Sequence, residues 1–185
     1  MQILCFGDSN TYGYDPRGFL GGRYEPEDRW VDLLAAQTGQ ALINAGVNGR
    51  EIPRCLPPEY LPVDVLLVML GTNDLLQGAS AKEAAARMDS FLQSAIPHCC
   101  HVLLVTPPPL KRGAWVPSDT LVTESIHLTE EYRHIAEKRD ISFVDTRSWD
   151  IPLTFDGVHF TEVGHRRFAA YLQPMIHTIL QESKP

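Results

Sequence analysis

The segment QILCFGDSNT, residues 2–11, decides the fold class of this chain. Its first half is a continuous apolar run, which is typical of a short strand that is buried on both faces of a sheet. The run stops at Gly7, where the chain can turn without steric strain from a Cβ atom. Ser9 is therefore predicted to follow the carboxyl end of a first strand, the edge where open α/β sheets bind their ligands.

Further apolar runs alternate with helical patterns along the chain. These patterns predict strands at residues 3–6, 41–45, 63–70, 102–105 and 141–144, and helices at residues 27–38, 80–95, 118–139 and 161–180. Alternating strands and helices indicate a parallel sheet with helices on both faces. The sequence therefore predicts an α/β fold with a five-stranded parallel sheet.

Two segments show neither a helical nor a strand period. Residues 12–28 are rich in glycine, proline and aromatic residues, which predicts a long ordered loop beside the site. Prolines interrupt residues 50–60, so only one turn of helix is expected there. Tyr14, Phe19 and Trp115 can line a pocket, but packing or an oligomer contact explains such aromatic residues equally well.

Length and charge limit the classes of protein to which the chain can belong. Its 185 residues suffice for one buried core, so a single domain over residues 1–185 is predicted. The formal net charge of -7 at pH 7 disfavours nucleic-acid partners and docking on an anionic membrane. Met1 directly precedes the first strand and no apolar run is long enough to cross a membrane, so we expect a cytoplasmic protein. A homo-oligomer is left open.

The cysteines do not follow the spacing of a disulfide framework. Three of them lie in or beside apolar strands, so reduced thiols that contribute to packing are expected at Cys5, Cys55, Cys99 and Cys100. The run HCCH at residues 98–101 superficially looks like a metal site. Four consecutive side chains diverge instead of converging on one ion, so a junction between a helix and a strand is expected there, without a metal.

A candidate catalytic pair stands near the end of the chain, in the segment DGVH, residues 156–159. Residues three apart lie on the same side of a turn, so Asp156 can accept a hydrogen bond from His159 and fix its tautomer. Surface pairs of this kind are common and often have no function. Together with Ser9, however, this pair forms a candidate triad of nucleophile, base and orienting acid.

Attack on an acyl carbonyl also needs hydrogen-bond donors for the oxygen on which negative charge develops. Gly49 can bring its backbone N–H close because it has no Cβ, Asn73 offers a side-chain amide, and Ser9 offers its own N–H. Each residue also has a simpler explanation. Gly49 can be a turn glycine and Asn73 a loop cap, and Ser9 can be a turn former or a helix cap.

Four segments together resemble, in order and spacing, the four sequence blocks of the SGNH (GDSL-like) hydrolases. They are GDS at residues 7–9, NAGVNG at residues 44–49, GTND at residues 71–74 and DGVH at residues 156–159. Longer runs around these blocks look similar to the arylesterase and acyltransferase branch of the family. Asn10 is a departure, because the family commonly has leucine after the serine.

The resemblance implies a flavodoxin-like, three-layer α/β/α fold and a role for each matched residue. Ser9 corresponds to the nucleophile, His159 to the base and Asp156 to its orienting acid. Gly49 and Asn73 correspond to the donors of the oxyanion hole, together with the N–H of Ser9.

We therefore expect a serine esterase that hydrolyses small carboxylic esters through an acyl-enzyme, without a metal or an organic cofactor. Acyl transfer is a further activity to be expected from such an enzyme. An O-acetylated sugar is an alternative substrate, and the aromatic residues do not separate the two kinds of ester. An alternative of another class is a flavodoxin-like module that binds phosphate or flavin with residues 9–11. That alternative leaves Asn73 and the segment DGVH without a role.

Overall fold

A sheet of five parallel strands forms the centre of the structure. The computed structural model describes residues 1–18 and 20–182 of the chain. In chain order the strands are β1 (Gln2–Gly7), β2 (Tyr14–Asp15), β3 (Gly22–Arg23), β4 (Ala41–Gly46), β5 (Val63–Met69), β6 (Cys99–Val105) and β7 (Ser142–Val144). The central sheet has the order β4-β1-β5-β6-β7, whereas β2 and β3 form a separate antiparallel pair. The predicted five-stranded parallel sheet is confirmed.

Helices cover both faces of this sheet. They are α1 (Ser9–Tyr12), α2 (Trp30–Thr38), α3 (Thr72–Leu76), α4 (Ala81–Ala95), α5 (Asp119–Arg139) and α6 (Glu162–Glu182). The pair of α2 and α6 packs on one face, and the pair of α4 and α5 packs on the other. With its strands numbered within the sheet alone, the order is 2-1-3-4-5, as in flavodoxin-like folds. The three-layer α/β/α prediction is therefore confirmed.

Strand β1 is apolar on both of its faces because it lies inside the sheet. Leu4 and Phe6 point towards α4 and α5, where Phe6 stacks on Phe91 with 5.6 Å between the ring centroids. Ile3 and Cys5 point towards the layer of α2 and α6. Helices on both sides bury every side chain of β1 after Gln2, which explains the uninterrupted apolar run.

The direction of strand addition reverses at β1. The chain passes from β1 to β4 on one side and then returns to β5 on the other side. Loops that leave β1 and β5 therefore diverge at the carboxyl edge of the sheet and leave a crevice between them. The polar segments that follow these two strands lie at this edge.

One predicted helix is divided in the structure. Residues 27–38 were expected to form a single helix, but Pro26–Asp28 form a short 3₁₀ turn and α2 begins at Trp30. Arg29 between them has an extended backbone, and its carbonyl accepts the first α2 hydrogen bond from Leu33 N–H at 2.9 Å. The prediction of a continuous helix is wrong because Arg29 caps a new one.

Several element boundaries also differ from the prediction. Strand β6 begins at Cys99 and not at residue 102, because backbone pairing with β5 sets its start. The loop predicted at residues 12–28 contains the β2–β3 pair, and α1 and α3 form where only loops were expected. Ser80 and Glu83 form the capping box of α4. The single helical turn expected within residues 50–60 is the 3₁₀ turn Pro58–Tyr60.

The cysteines agree only in part with their prediction. All four are free, but only Cys5 is buried, whereas Cys99 is half-buried. Cys55 and Cys100 are exposed, so the predicted contribution to packing is wrong for these two, whereas the reduced state is confirmed for all four. Cys100 is exposed because it stands at the start of β6, where the strand leaves the covered part of the sheet. A 3₁₀ turn ends at His98 and β6 begins at the next residue, which confirms the predicted junction.

None of the helices in residues 1–18 and 20–182 is long and apolar enough to cross a membrane. Within the same residues, no three histidine, cysteine or acidic side chains are grouped so that they could hold a metal ion. The single domain, the cytoplasmic location, the lack of nucleic-acid partners and the oligomeric state stay predictions.

His165 in α6 is a buried histidine at the junction of α2 and α6. Its Nδ1 accepts a hydrogen bond from Trp30 N–H at 3.4 Å, and its Nε2 has no hydrogen-bond partner. The rings of Tyr24 and Phe160 pack against its ring, with centroids 5.2 and 5.3 Å away. Burial lowers the pKa of His165 to about 3, and the charge of nearby histidine and arginine side chains adds to this effect.

We expect His165 to make the stability of the fold depend on pH. The unfolded chain takes up a proton at this residue below about pH 6.5, whereas the folded chain does so only near pH 3. The free energy of unfolding should therefore fall as the pH falls through this window. His165→Asn keeps an acceptor for Trp30 but does not titrate. On acidification, the free energy of unfolding should therefore fall less in this variant than in the wild type, and the difference should be a few kcal/mol at most. Urea unfolding of both proteins from pH 7 to pH 4 measures this difference, and parallel curves would contradict it.

Candidate active site

Ser9 begins helix α1 directly after strand β1. Asp8 caps this short helix, because its side chain accepts a hydrogen bond from Asn10 N–H at 3.0 Å. Gly7 is required by close packing, since a Cβ atom there would lie 2.0 Å from Thr11 Oγ1. The turn therefore packs tightly on the end of β1 and places Ser9 at the carboxyl edge of the sheet.

Three of the predicted site residues form a continuous chain of hydrogen bonds. Ser9 Oγ lies 2.9 Å from His159 Nε2, and His159 Nδ1 lies 2.7 Å from Asp156 Oδ2. All three side chains are buried. We call these three residues the relay. Their order and distances are those that a base needs in order to take a proton from a serine hydroxyl.

The carboxylate of Asp156 is held by several donors. Its Oδ1 accepts hydrogen bonds from Thr154 Oγ1 at 2.7 Å, from Val158 N–H at 2.8 Å and from His159 N–H at 3.0 Å. Burial alone would raise the pKa of Asp156, but these bonds and the one from the His159 ring outweigh burial and lower it to about 2. An ionised Asp156 favours a proton on Nδ1 of His159, which leaves Nε2 as an acceptor towards Ser9.

Asp8, the other buried acid beside Ser9, shows the opposite shift. Burial raises the pKa of Asp8 to about 6, although the hydrogen bond from Asn10 N–H and the nearby His159 and Arg50 side chains oppose this rise. Asp8 has fewer donors than Asp156, so burial has the larger effect on it.

A cavity of about 130 Å³ lies in front of Ser9. It is lined by Ser9, Tyr14, Asn48, Gly49, Asn73, Trp115 and His159. The structure thus brings four of the five predicted site residues to one cavity. The fifth residue, Asp156, lies on the far side of the His159 ring.

Besides Ser9, the predicted oxyanion donors are Gly49, in the loop after β4, and Asn73, in the first turn of α3 after β5. Gly49 has a φ of 73°, and a Cβ atom there would meet nothing within 4 Å, so backbone conformation and not space favours glycine. Asn73 donates one hydrogen of its side-chain amide to Arg50 O at 3.0 Å. Because an amide nitrogen carries two hydrogens, one remains for a ligand in the cavity.

Asp74 supports this edge of the cavity, a role that the sequence analysis missed. Its buried carboxylate accepts hydrogen bonds from Ile52 N–H at 3.1 Å and from Arg87 Nη1 at 2.7 Å. Burial raises the pKa of Asp74, and the hydrogen bond from Arg87 opposes this. Asn73 and Asp74 therefore tie residues 50–52 to α3. The feature of the sequence that could have indicated this role is the acidic residue directly after Asn73 in the segment GTND.

Two aromatic side chains contact the ring of His159. The ring centroid of Tyr14 lies 4.8 Å away at a tilt of 58°, and that of Trp115 lies 5.1 Å away with its plane at 81°. Trp115 is nevertheless 51% exposed. Both residues therefore belong to the wall of the cavity, an option that the sequence left open. Phe19 lies outside the described residues.

Trp115 is held by the same segment that carries Asp156. Trp115 N–H donates to Asp156 O at 3.0 Å. In the same way Lys111 N–H donates to Gly157 O at 3.0 Å. This contact was not predictable from the sequence, because backbone groups make it.

Two glycines allow residues 111–116 to lie close to residues 156–157. A Cβ atom on Gly113 would lie 2.4 Å from the carbonyl carbon of Asp156, and one on Gly157 would lie 2.0 Å from Lys111 O. Gly157 also has a φ of 81°, which disfavours any other residue.

Residues 5–167 match the GDSL-like Lipase/Acylhydrolase family. This span covers most of the 185 residues, and the chain belongs to that family. It is a carboxylic ester hydrolase of the SGNH type, and its substrates are small-molecule esters. A comparison with curated proteins found no match.

Solved structures of similar proteins cover nearly the whole chain. A carbohydrate acetylesterase family member from Sinorhizobium meliloti is 27% identical with a TM-score of 0.85, over 97% of this chain and 99% of its own. The M. smegmatis aryl esterase is 27% identical with a TM-score of 0.80, over 96% and 99%. A structure described as an arylesterase of Agrobacterium tumefaciens is 28% identical with a TM-score of 0.81, also over 96% and 99%. These likenesses support the esterase class and leave the particular ester open.

We expect Gly157→Ala to damage the site far more than Gly78→Ala. Both glycines have a positive φ, but an added Cβ at Gly78 meets nothing within 4 Å. Gly78→Ala should therefore cost only the conformational strain, about 1–2 kcal/mol. Gly157→Ala must also displace Lys111, so it should cost roughly 3–5 kcal/mol and remove most esterase activity. Denaturant unfolding and ester hydrolysis measure both effects, and equal losses in the two variants would contradict the close contact.

Proposed function

We propose that this esterase hydrolyses short-chain carboxylic esters through an acyl-enzyme formed on Ser9. The observation that carries the proposal is the relay, which opens into a small cavity at Ser9. A serine hydroxyl alone is a weak nucleophile, and a hydrogen-bonded base with its own orienting group is the usual means of activating it.

His159 is the general base in this mechanism. It accepts the Ser9 proton at Nε2 while Ser9 Oγ attacks the ester carbonyl carbon, and ionised Asp156 stabilises the imidazolium that forms. His159 then gives this proton to the leaving alcohol, and Ser9 stays acylated. A water molecule that His159 deprotonates attacks the acyl carbonyl carbon, and His159 returns this proton to Ser9 Oγ as the bond from Oγ to the acyl group breaks and the carboxylic acid leaves. Another alcohol in place of water would complete an acyl transfer.

The developing oxyanion is stabilised by Gly49 N–H, Asn73 Nδ2 and Ser9 N–H. All three residues line the cavity, and the contacts of Asn73 and Asp74 with residues 50–52 hold two of these donors before a substrate binds. One donor in such a site typically contributes about 10²-fold to 10³-fold to kcat.

The size of the cavity favours a small acyl group. Its volume of about 130 Å³ is well below the range of roughly 300–1,000 Å³ that drug-sized ligands occupy. Tyr14 and Trp115 close two of its sides against the His159 ring. An acetyl group therefore suits this space, whereas a long acyl chain does not.

The alcohol part of the ester has two candidates. Trp115 is half exposed beside the cavity, and its ring can pack against an aryl group or against the apolar face of a sugar. Aryl esters are the first candidate. O-acetylated sugars are the second, because a carbohydrate acetylesterase family member is among the similar structures.

A phosphate-binding or flavin-binding module has less support. Ser9 Oγ faces His159, and the side-chain amide of Asn10 bonds to the backbone of Val158 and Phe160. Thr11 is buried. The side chains of Ser9 and Asn10 therefore bind other parts of the protein and that of Thr11 is enclosed, so none of the three is available to a phosphate group.

Asp156→Asn should lower kcat by about 10³-fold to 10⁴-fold, because an amide favours the wrong tautomer of His159 and removes the stabilising charge. The rate of 4-nitrophenyl acetate hydrolysis measures this loss. Asp150→Asn is the matched control. Asp150 lies in the same connection between β7 and α6, but it is exposed and pairs with Arg167. It should keep kcat within about twofold. A larger loss in Asp150→Asn than in Asp156→Asn would show that the orienting acid is misassigned.

We expect kcat/KM to fall by at least about 10-fold from 4-nitrophenyl acetate to 4-nitrophenyl octanoate, because the cavity is too small for the longer acyl chain. Trp115→Ala removes one wall and should reduce this difference. Tyr171→Ala, on the exposed side of α6, removes an aromatic ring elsewhere and should leave the difference unchanged. A wild-type preference for the octanoate would rule out a short-chain substrate.

A further inference from the structure

Asn10, which directly follows Ser9, has a side-chain amide with partners on both of its polar atoms. The residue is only 4% exposed. Its Nδ2 donates to Val158 O at 3.1 Å, and its Oδ1 accepts from Phe160 N–H at 2.9 Å. These two partners are the residues on either side of His159.

The amide of Asn10 imitates one step of a parallel β ladder. In such a ladder one residue pairs with the C=O before and the N–H after the residue opposite it. The peptide groups of His159 itself have other partners. His159 N–H donates to Asp156 Oδ1 at 3.0 Å, and His159 O accepts from Thr154 N–H at 2.8 Å. The backbone at His159 is therefore held from two sides, and Asn10 supplies one of them.

Asn10 is anchored independently of this contact. Its carbonyl accepts a hydrogen bond from Trp30 Nε1 at 2.9 Å, and its N–H donates to Asp8 Oδ1 at 3.0 Å. The residue is thus fixed to the core on one side and to the segment around His159 on the other. Asn10 is also the covalent neighbour of Ser9. It therefore links Ser9 to His159 by a route that is separate from the hydrogen bond between Ser9 Oγ and His159 Nε2.

We propose that Asn10 is a positioning residue that sets the distance and angle between Ser9 Oγ and His159 Nε2. The proposal rests on the proposed function, in which His159 takes the proton of Ser9. Leucine, the common residue of the family at this position, has neither a donor nor an acceptor, and an aspartate carboxylate has only an acceptor. This chain therefore holds its histidine with a contact that a leucine cannot make.

Asn10→Leu tests this role because it removes both hydrogen bonds with little change in side-chain volume. We expect kcat for 4-nitrophenyl acetate to fall by about 10-fold to 10²-fold, as misplacement of a catalytic group typically does. KM should change by less than about threefold, because Asn10 does not line the cavity. Asn10→Asp keeps the acceptor for Phe160 N–H but turns a carboxylate oxygen towards Val158 O, so it should also lower kcat, and it tests the role even if Asn10→Leu does not fold.

A spectroscopic readout separates positioning from general loosening of the fold. The proton between His159 Nδ1 and Asp156 should give a low-field ¹H resonance in the wild type, because it lies in a 2.7 Å hydrogen bond. In Asn10→Leu this resonance should broaden or move upfield while the protein stays folded. An unchanged resonance would overturn the proposal.

Asn44→Leu is the matched control. The amide of Asn44 also makes two hydrogen bonds near α1, to Thr11 O at 2.8 Å and from Gly46 N–H at 3.0 Å, but it does not contact the His159 segment. This variant should lose comparable thermal stability, keep kcat within about threefold and keep the resonance. Equal losses of kcat in Asn44→Leu and Asn10→Leu would overturn the positioning role.

Ser9→Ala in the same assay distinguishes the two possible failures. An active Ser9→Ala would overturn the proposed function itself. An inactive Ser9→Ala, together with an Asn10→Leu variant within about threefold of the wild-type kcat, would overturn only the role of Asn10.

Discussion

The hydrogen bond between Ser9 Oγ and His159 Nε2 joins two residues that are 150 positions apart, and the arrangement of the site depends on it. Its length requires that both partners be fixed independently. Ser9 is fixed by β1 and by the cap that Asp8 provides, whereas His159 is fixed by Asp156 and Asn10. Each support is a polar group buried among apolar side chains, where an unpaired group would be costly. The supports are therefore rigid, because loss of any one would leave buried partners unsatisfied.

The buried acids around the site show how local hydrogen bonding determines charge. The many donors to Asp156 outweigh the effect of burial and lower its pKa to about 2. Asp8 has fewer donors, so burial raises its pKa to about 6. Asp156 therefore stays ionised at every pH at which an esterase of this type would work, and it can balance the charge of a protonated His159. The difference arises from the turn at residues 154–159, whose backbone N–H groups and Thr154 hydroxyl point at one carboxylate.

Continuous apolar runs and short motifs carried most of the prediction from sequence. Strand β5 was predictable because every position but one is buried, and the segment DGVH because its spacing fits one turn. The start of β6 was not predictable. Its first residues are held in the sheet by backbone pairing with β5, and their side chains do not form an apolar strand pattern. The same is true of the contact between Trp115 and Asp156, which uses only main-chain groups. The roles of Asp74 and Asn10 were missed because a polar residue in a loop motif looks like a turn former until its buried partners are known.

The central claim is that His159 activates Ser9. Labelling with a fluorophosphonate, followed by peptide mapping, tests it most directly, because this reagent reacts quickly only with an activated serine. We predict rapid modification of Ser9 in the wild type and a rate at least about 10²-fold lower in His159→Ala, with both proteins folded. Labelling at another residue, or a rate at Ser9 that does not change in His159→Ala, would contradict the account.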